Sequence, residues 1–255
     1  MSMAAAAYYN EIDPYAADWL RNLIAAGHIA PGDVDERSIE DVHPDDLRPY
    51  TQCHFFAGIG VWSYALRRAG WPDDRPVWTG SCPCQPFSAA GKGTAFDDER
   101  HLWPAWHWLI QERRPPVVFG EQVASKDAEP WLDLVSADLE ALVYAFGAVP
   151  FPAASVGAPH IRDRLYWLAS APNSDLTGLP REIRSGTAPE THVASAWRSI
   201  ERIHSKGLWP SWLSESGTPA LVDGAAARVG RLRAYGNAIN AVQAQIFIEE
   251  CMRCI

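Results

Sequence analysis

The sequence has little of what marks secreted, membrane-spanning or metal-clustered proteins. Cysteine is scarce: five in 255 residues, at Cys53, Cys82, Cys84, Cys251 and Cys254. That excludes a disulfide scaffold and suits a reducing, cytoplasmic setting. No run of 18 or more apolar residues occurs, so no membrane span is expected. The opening MSMAAAAYYNEID has an alanine run, no basic segment and an early acid, which argues against a secretory leader. Basic charge is also short, with 22 Lys and Arg against 31 Asp and Glu and a net charge of −9. The shortage is uneven. Residues 1–50 carry ten acids and three bases, whereas residues 175–233 carry eight bases and six acids. A polyanion can meet the later segment while the acidic end stays away. An ordinary solvated surface fits the charge alone equally well.

What the chain does have is a core. Apolar residues make up 47%, enough for one large domain, or one domain plus a small lobe. The first 170 residues alternate between strand and helix patterns, so α/β is the natural class. Strands are expected at AAAAYYNEI, QCHFFAG, PVWTG, PPVVFGEQV and RLYWLAS. Helices are expected at PYAADWLRNLIAAG, VWSYALRRAG, HLWPAWHWLIQER and EPWLDLVSADLEALVYAFG, the last running as far as Gly147. Residues 171–229 change character, becoming rich in Pro, Ser, Thr and Gly, and read as a small variable lobe. RLRAYGNAINAVQAQIFIEECM returns to an amphipathic helix.

Five short stretches carry chemistry. FFAGIG (55–60) ends a strand and opens a helix, where glycines let a ligand approach the backbone. GSCPCQPFSAAGKG (80–93) puts two cysteines on a tight, proline-bounded loop at a strand's carboxyl end. Their spacing is wrong for a zinc knuckle, and CMRC at 251–254 has no partner pair, so no metal is expected. A thiolate nucleophile at Cys84 is the sharper reading, with Cys82 as a packing residue. GEQV places Glu121 at the end of a hydrophobic strand, where partial burial suits a general acid and a loop or capping acid is the plain alternative. APHIRDRLYWLA places Arg162 and Arg164 at i, i+2 before a strand, where alternation puts both on one side to hold an anion or a carbonyl oxygen. In YGNAIN, Asn237 can contact a ligand or cap the last helix.

Together PCQPFS, GEQV, RDR, FAGIG and GNAI resemble the DNA (cytosine-5) methyltransferase family. The resemblance covers residues 8–170 and 228–250. It implies a Rossmann-like, mostly parallel sheet built from residues 1–170 and 230–255, with a small irregular target-recognition lobe at 171–229. It further implies methyl transfer from S-adenosylmethionine to C5 of cytosine in double-stranded DNA, with the base flipped out. In that reading Cys84 attacks C6, Glu121 shares a proton with N3, Arg164 holds O2, and Arg162 orients Glu121 or a phosphate. Gln85 and Ser88 contact the substrate on a loop that can close over it. Phe56, Gly58, Ile59 and Gly60 line the cofactor. Glu11, with Ile12 beside it, takes the ribose, and Asp35 the adenine amino group, with Asp33 as competitor. Pro83, Leu102 and Asn237 are lesser cofactor contacts. The resemblance also implies a bacterial or phage-encoded enzyme, with oligomerisation or a partner protein as a way for so short a lobe to read DNA.

The chain departs from the family at His54, Val61, Gln122 and His160, where Asp, Gly, Asn and Gln are usual; none of these is a catalytic position. LTGLPREI (176–183) is treated as a coincidental match to another family motif. The motif order is also unusual. Cys84 follows Gly60 by only 24 residues, room for one helix and one strand. Two more parallel strands, each with a crossover of about ten residues or more, do not fit there. The missing pieces stand at the front, in NEIDPYAADWL and VDERSIEDV. The inferred order is permuted, with the second and third cofactor strands preceding the first. Two other readings stay open: the same chemistry on RNA or with a modified donor, and a non-catalytic DNA-binding relative.

Overall fold

The computed structural model describes residues 7–83, 102–124, 128–158, 161–172, 238–253 and 255. Cys84, Gln85, Ser88, His160 and Asn237 lie outside the described residues, as does nearly all of the 171–229 segment. Seven strands form one sheet: β1 (Ala7–Asn10), β2 (Gly32–Asp35), β3 (Gln52–Phe55), β4 (Val77–Gly80), β5 (Val117–Val123), β6 (Ala145–Pro150) and β7 (Arg164–Ser170). Their order is β2-β1-β3-β4-β5-β7-β6. All neighbours are parallel except β7, which runs against both β5 and β6. The described helices are α1 (Pro14–Ala25), α2 (Val61–Arg68), α3 (Trp103–Arg113), α4 (Ala128–Ala141) and α5 (Ala241–Met252).

Local sequence explains the first helix. The Asp13 carboxylate caps α1 by accepting from the backbone N–H groups of Tyr15 and Ala16, and Pro14 fills the first helical position, where its missing N–H costs nothing. One sheet face buries Tyr8, Phe55, Trp78, Val118 and Trp167 under α3, α4 and the turns that join β2 to β3. The other buries Tyr9, Val77, Phe119 and Tyr166 under α1, α2 and α5. Glycine makes the first face possible at two places. A Cβ on Gly80 would lie 2.6 Å from the Trp106 ring, and one on Gly120 would lie 1.9 Å from that of Trp167. The two indoles rest directly on the strand backbones.

The crossovers carry an anomaly. The β1–α1–β2 unit steps towards one sheet edge and β3–α2–β4 towards the other. Both helices nevertheless lie on the same face, since Tyr9 of β1 packs with Leu20 of α1 and its hydroxyl meets that of Ser63 on α2 at 2.9 Å. Two parallel crossovers that step in opposite directions over one face have opposite hands. The connections β2 to β3, β4 to β5 and β5 to β6 lie over the other face and agree in hand with β1–α1–β2. Since right-handed crossovers are nearly universal, the odd unit, β3–α2–β4, is the left-handed one.

One helix ends earlier than expected. The helix expected to reach Gly147 ends at Ala141, and Ala145–Pro150 is β6. Val143 enters the left-handed region at φ 65, the Tyr144 N–H closes back on the Leu139 carbonyl, and the next six residues pair with β7. Strand pairing outweighs the helical tendency of a run with no clear periodicity.

Candidate active site

The carboxyl ends of β1, β3, β4 and β5 share one edge of the sheet because these strands are parallel. In open α/β sheets ligands bind along that edge, at the point where the strand order reverses. Here the reversal falls between β1 and β3, and two bonds span it. The Gly58 N–H donates to Glu11 Oε2 at 2.7 Å, and the Ala57 N–H donates to the Asn10 carbonyl at 3.0 Å. The other Glu11 oxygen accepts from the Asp13 N–H at 2.9 Å. Burial raises the Glu11 pKa against the lowering effect of these two N–H groups. Beside it Ile12 is 65% exposed, leaving apolar surface open at the reversal point.

The turn after β3 is held open. Phe56 adopts φ 50 and Gly58 φ 55, and among the described residues nothing lies within 4 Å of where a Gly58 Cβ would stand. The glycine therefore serves backbone conformation and outside approach rather than packing. Gly60 caps α2 at φ 78. Phe56 packs edge-on against Trp106, with ring centres 6.0 Å apart. Ile59 is half-buried in the same turn.

Asp35 is more heavily committed than the sequence suggests. Its carboxylate accepts from the Tyr8 hydroxyl at 2.7 Å, from the Arg37 N–H at 2.9 Å and from the Arg37 guanidinium at 2.7 Å. Partial burial pushes its pKa up, yet Arg37 and Tyr8 hold it below the ordinary range. Asp33 is exposed and accepts from the Tyr50 hydroxyl at 2.8 Å.

The second half of the site lies at β4, β5 and β7. Glu121 is 6% exposed, and Arg164 Nε lies 2.7 Å from its Oε1. Burial pushes the Glu121 carboxyl above the usual carboxylate range, while Arg164, the Ser81 hydroxyl and Arg162 act the other way. The Gln122 side chain donates to the Cys82 carbonyl at 2.9 Å. Cys82 itself is buried, as a packing residue should be. Ser81 and Gln122 thus fix the start of the cysteine loop against β5. Pro83 is exposed, and Leu102 is half-buried at the start of α3. Arg162 takes φ 38, so the simple strand alternation expected for Arg162 and Arg164 does not hold. Its guanidinium donates to the Ala238 carbonyl, yet its charge still acts on Glu121.

The structure therefore brings Glu11, Ile12, Phe56, Gly58 and Gly60 together at one point of the edge, and Glu121, Arg162 and Arg164 at a neighbouring one. Ser81, Trp62 and Tyr166 surround Glu121 without having been singled out from sequence. A serine beside the cysteine loop offered a weak signal, and the other two offered none. Among the described residues no cluster of His, Cys, Asp and Glu could hold a metal ion, and no helix is long and apolar enough to cross a membrane.

Residues 70–206, more than half of the chain, match the family "C-5 cytosine-specific DNA methylase". Type II methyltransferase M.HhaI of Haemophilus parahaemolyticus is 34% identical over 99 residues, 37% of this chain and 30% of that protein. Type II methyltransferase M1.ScrFI of Lactococcus lactis subsp. cremoris is 34% identical over 97 residues, 36% of this chain and 25% of that protein. The matches thus span less than a third of these relatives. Among solved structures, a DNMT2 mutant from Spodoptera frugiperda aligns with TM-score 0.43 and 17% identity, over 68% of this chain and 44% of that one.

Proposed function

The chain belongs to the C-5 cytosine-specific DNA methylase family, and from that premise we propose that it methylates C5 of cytosine in double-stranded DNA, with Cys84 as nucleophile. The carrying observation is the buried Glu121–Arg164 pair, set beside the residues that lead into the cysteine loop. It offers a proton and a fixed cation side by side, as the N3 and O2 edge of cytosine requires.

The family's methyl donor is S-adenosylmethionine, and the β1–β3 reversal point fits it. The Glu11 carboxylate can accept from a ribose diol, since each oxygen keeps a lone pair beyond its one N–H partner. Ile12 and Phe56 offer apolar surface for the adenine, and Gly58 permits close backbone approach, whereas Gly60, whose Cβ position is bounded by Leu20 and Ile29, shapes the turn. Asp35, tied to Arg37 and Tyr8, contributes to this pocket chiefly by shaping it, which leaves Asp33 as the freer acid on β2. Pro83, Leu102 and Asn237 complete the candidate lining. When bound, the donor supplies a methyl group on a positively charged sulfur.

The chain's own residues prepare the ring. The C5 carbon of cytosine is a weak nucleophile. Bonding the Cys84 sulfur to C6 breaks the C5–C6 double bond and moves an electron pair towards C5, while Glu121 gives its proton to N3. Arg164 holds O2, and Arg162 orients the carboxyl group. After C5 is methylated, loss of its proton to solvent water re-forms the double bond and expels the Cys84 thiolate, and the N3 proton returns to Glu121. A base inside a duplex is out of reach, so it must be flipped out. Gln85 and Ser88 then contact the substrate, and the lobe between β7 and α5 meets the DNA.

We also propose that the motif order is permuted. Strand order supports this, since the glycine-turn strand β3 sits between β1 and β4 although it is third in the chain. The left-handed β3–α2–β4 unit supports it further. In the usual order the helix after the glycine turn would lead into the strand that here is β1, with the common hand. Feeding β4 instead reverses the hand.

Incubation with labelled S-adenosylmethionine and duplex DNA tests the proposal. Label on C5 of cytosine, lost in Cys84→Ala, supports it. Transfer to RNA alone, or DNA binding with no transfer, contradicts it.

A further inference from the structure

Glu121 is held by more than its ion pair. The indole N–H of Trp62 donates to Ser81 Oγ at 3.2 Å, and the Ser81 hydroxyl in turn bonds the Glu121 carboxylate. The Trp62 ring is stacked on Phe119, centres 6.1 Å apart, and meets Tyr166 edge-on at 5.9 Å. Phe119 stands two residues before Glu121 on the same strand, and Tyr166 is its direct partner across the ladder. All three side chains therefore project from one sheet face, and Trp62 lies over them as the lid of a small box. A hydroxyl is both donor and acceptor and rotates freely. Once an N–H occupies its oxygen, its own proton must point elsewhere, and the carboxylate is the acceptor at hand.

We infer that Trp62 is a positioning residue: by donating to Ser81 it fixes the serine hydroxyl as a donor to Glu121. Trp62 is the second residue of the helix that follows the glycine turn. The relay therefore ties the cofactor half of the site to the carboxylate of the base-binding half. Among the described residues the charged and titratable groups facing Glu121 are Arg164 and Tyr166 from β7 and Arg162 from the segment before it; Ser81 directly follows β4, and α2 contributes only the uncharged indole.

The inference rests on Glu121 being the proton donor of the proposed reaction, so its test reads ionisation rather than methyl transfer. The carboxyl 13C resonance of Glu121, assigned by its loss in Glu121→Gln, is followed against pH. Ser81→Ala removes a hydrogen bond to the charged form and should move the midpoint up by about one pH unit. Trp62→Phe keeps the stacked ring, removes the N–H and should move it the same way by a smaller amount. The double variant should move it no further than Ser81→Ala alone, and Ser81→Thr, which keeps the hydroxyl, should leave it in place. An unmoved midpoint in Trp62→Phe, or a Trp62 effect undiminished without Ser81, overturns the inference. In the unmutated chain the indole 15N–1H resonance of Trp62 should follow the same titration and cease to do so in Ser81→Ala. A resonance indifferent to Glu121 overturns it equally, whether or not Trp62→Phe folds.

Discussion

Arg164 Nε lies 2.7 Å from Glu121 Oε1, and the two side chains are only 14% and 7% exposed. So buried a carboxylate would be costly without a partner, and burial still holds its proton more tightly than in water. Burial thus favours the proton-bearing form against the pull of Arg164, which suits a group that lends a proton to a ring nitrogen.

Removing one partner is worse than the pair's net worth suggests. Arg164→Ala leaves a buried carboxylate unpaired and should destabilise the fold by about 3–5 kcal/mol at pH 8. Chemical denaturation of the two proteins measures this. A loss far below that range would mean that water reaches Glu121.

Glu11 bridges the β1–β3 reversal, and its removal strands the Gly58 and Asp13 N–H donors. Glu11→Ala should weaken S-adenosylmethionine binding by about tenfold or more, the worth of one good hydrogen bond. Calorimetric titration checks it, and unchanged affinity would remove Glu11 from the cofactor site.

His54 is fully buried, stacked on Tyr9 and bonded to Thr79. Burial lowers its pKa to about 3. The unfolded chain takes up that proton near pH 6.5, so stability falls as pH drops through the window from about 6.5 to about 3. Between pH 7.5 and 5.0, His54 should account for about 2 kcal/mol of lost stability. His54→Asn should lose less stability than the unmutated protein over that range. Equal losses would contradict the buried, neutral imidazole.

Gly120 lies beneath the Trp167 indole. Gly120→Ala places a methyl group where that ring stands and should cost several kcal/mol or abolish soluble folding. Trp167→Ala on the same background should recover part of the loss. A stable, unperturbed Gly120→Ala protein would refute the packing of this face.

Sequence legibility followed signal type. Pro14 at its start and Gly27 after its end announced α1, and the unbroken apolar run before Gly120 announced a strand buried on both faces. Gly60 and Cys84 set too short a spacing for the usual order, which pointed to the acids of the first 40 residues. β6 was illegible because AFGAVP lacks alternation and becomes a strand only by pairing with β7. The commitment of Asp35 to Arg37 was illegible too, since adjacency in sequence does not fix rotamers. Glu121 and Arg164 carried motifs. Ser81 and Trp62 did not, because one hydroxyl and one indole N–H have no diagnostic spacing.

The covalent role of Cys84 is the central claim, and a trapped adduct tests it most directly. Duplex DNA with 5-fluorocytosine in place of cytosine, incubated with protein and S-adenosylmethionine, blocks the final elimination because fluorine cannot leave C5 as a cation. The account predicts a denaturation-resistant protein–DNA complex, with mass spectrometry placing the nucleotide on Cys84 and with none formed by Cys84→Ala. A complex linked through another residue, or methyl transfer to ordinary DNA that survives Cys84→Ala, would contradict it.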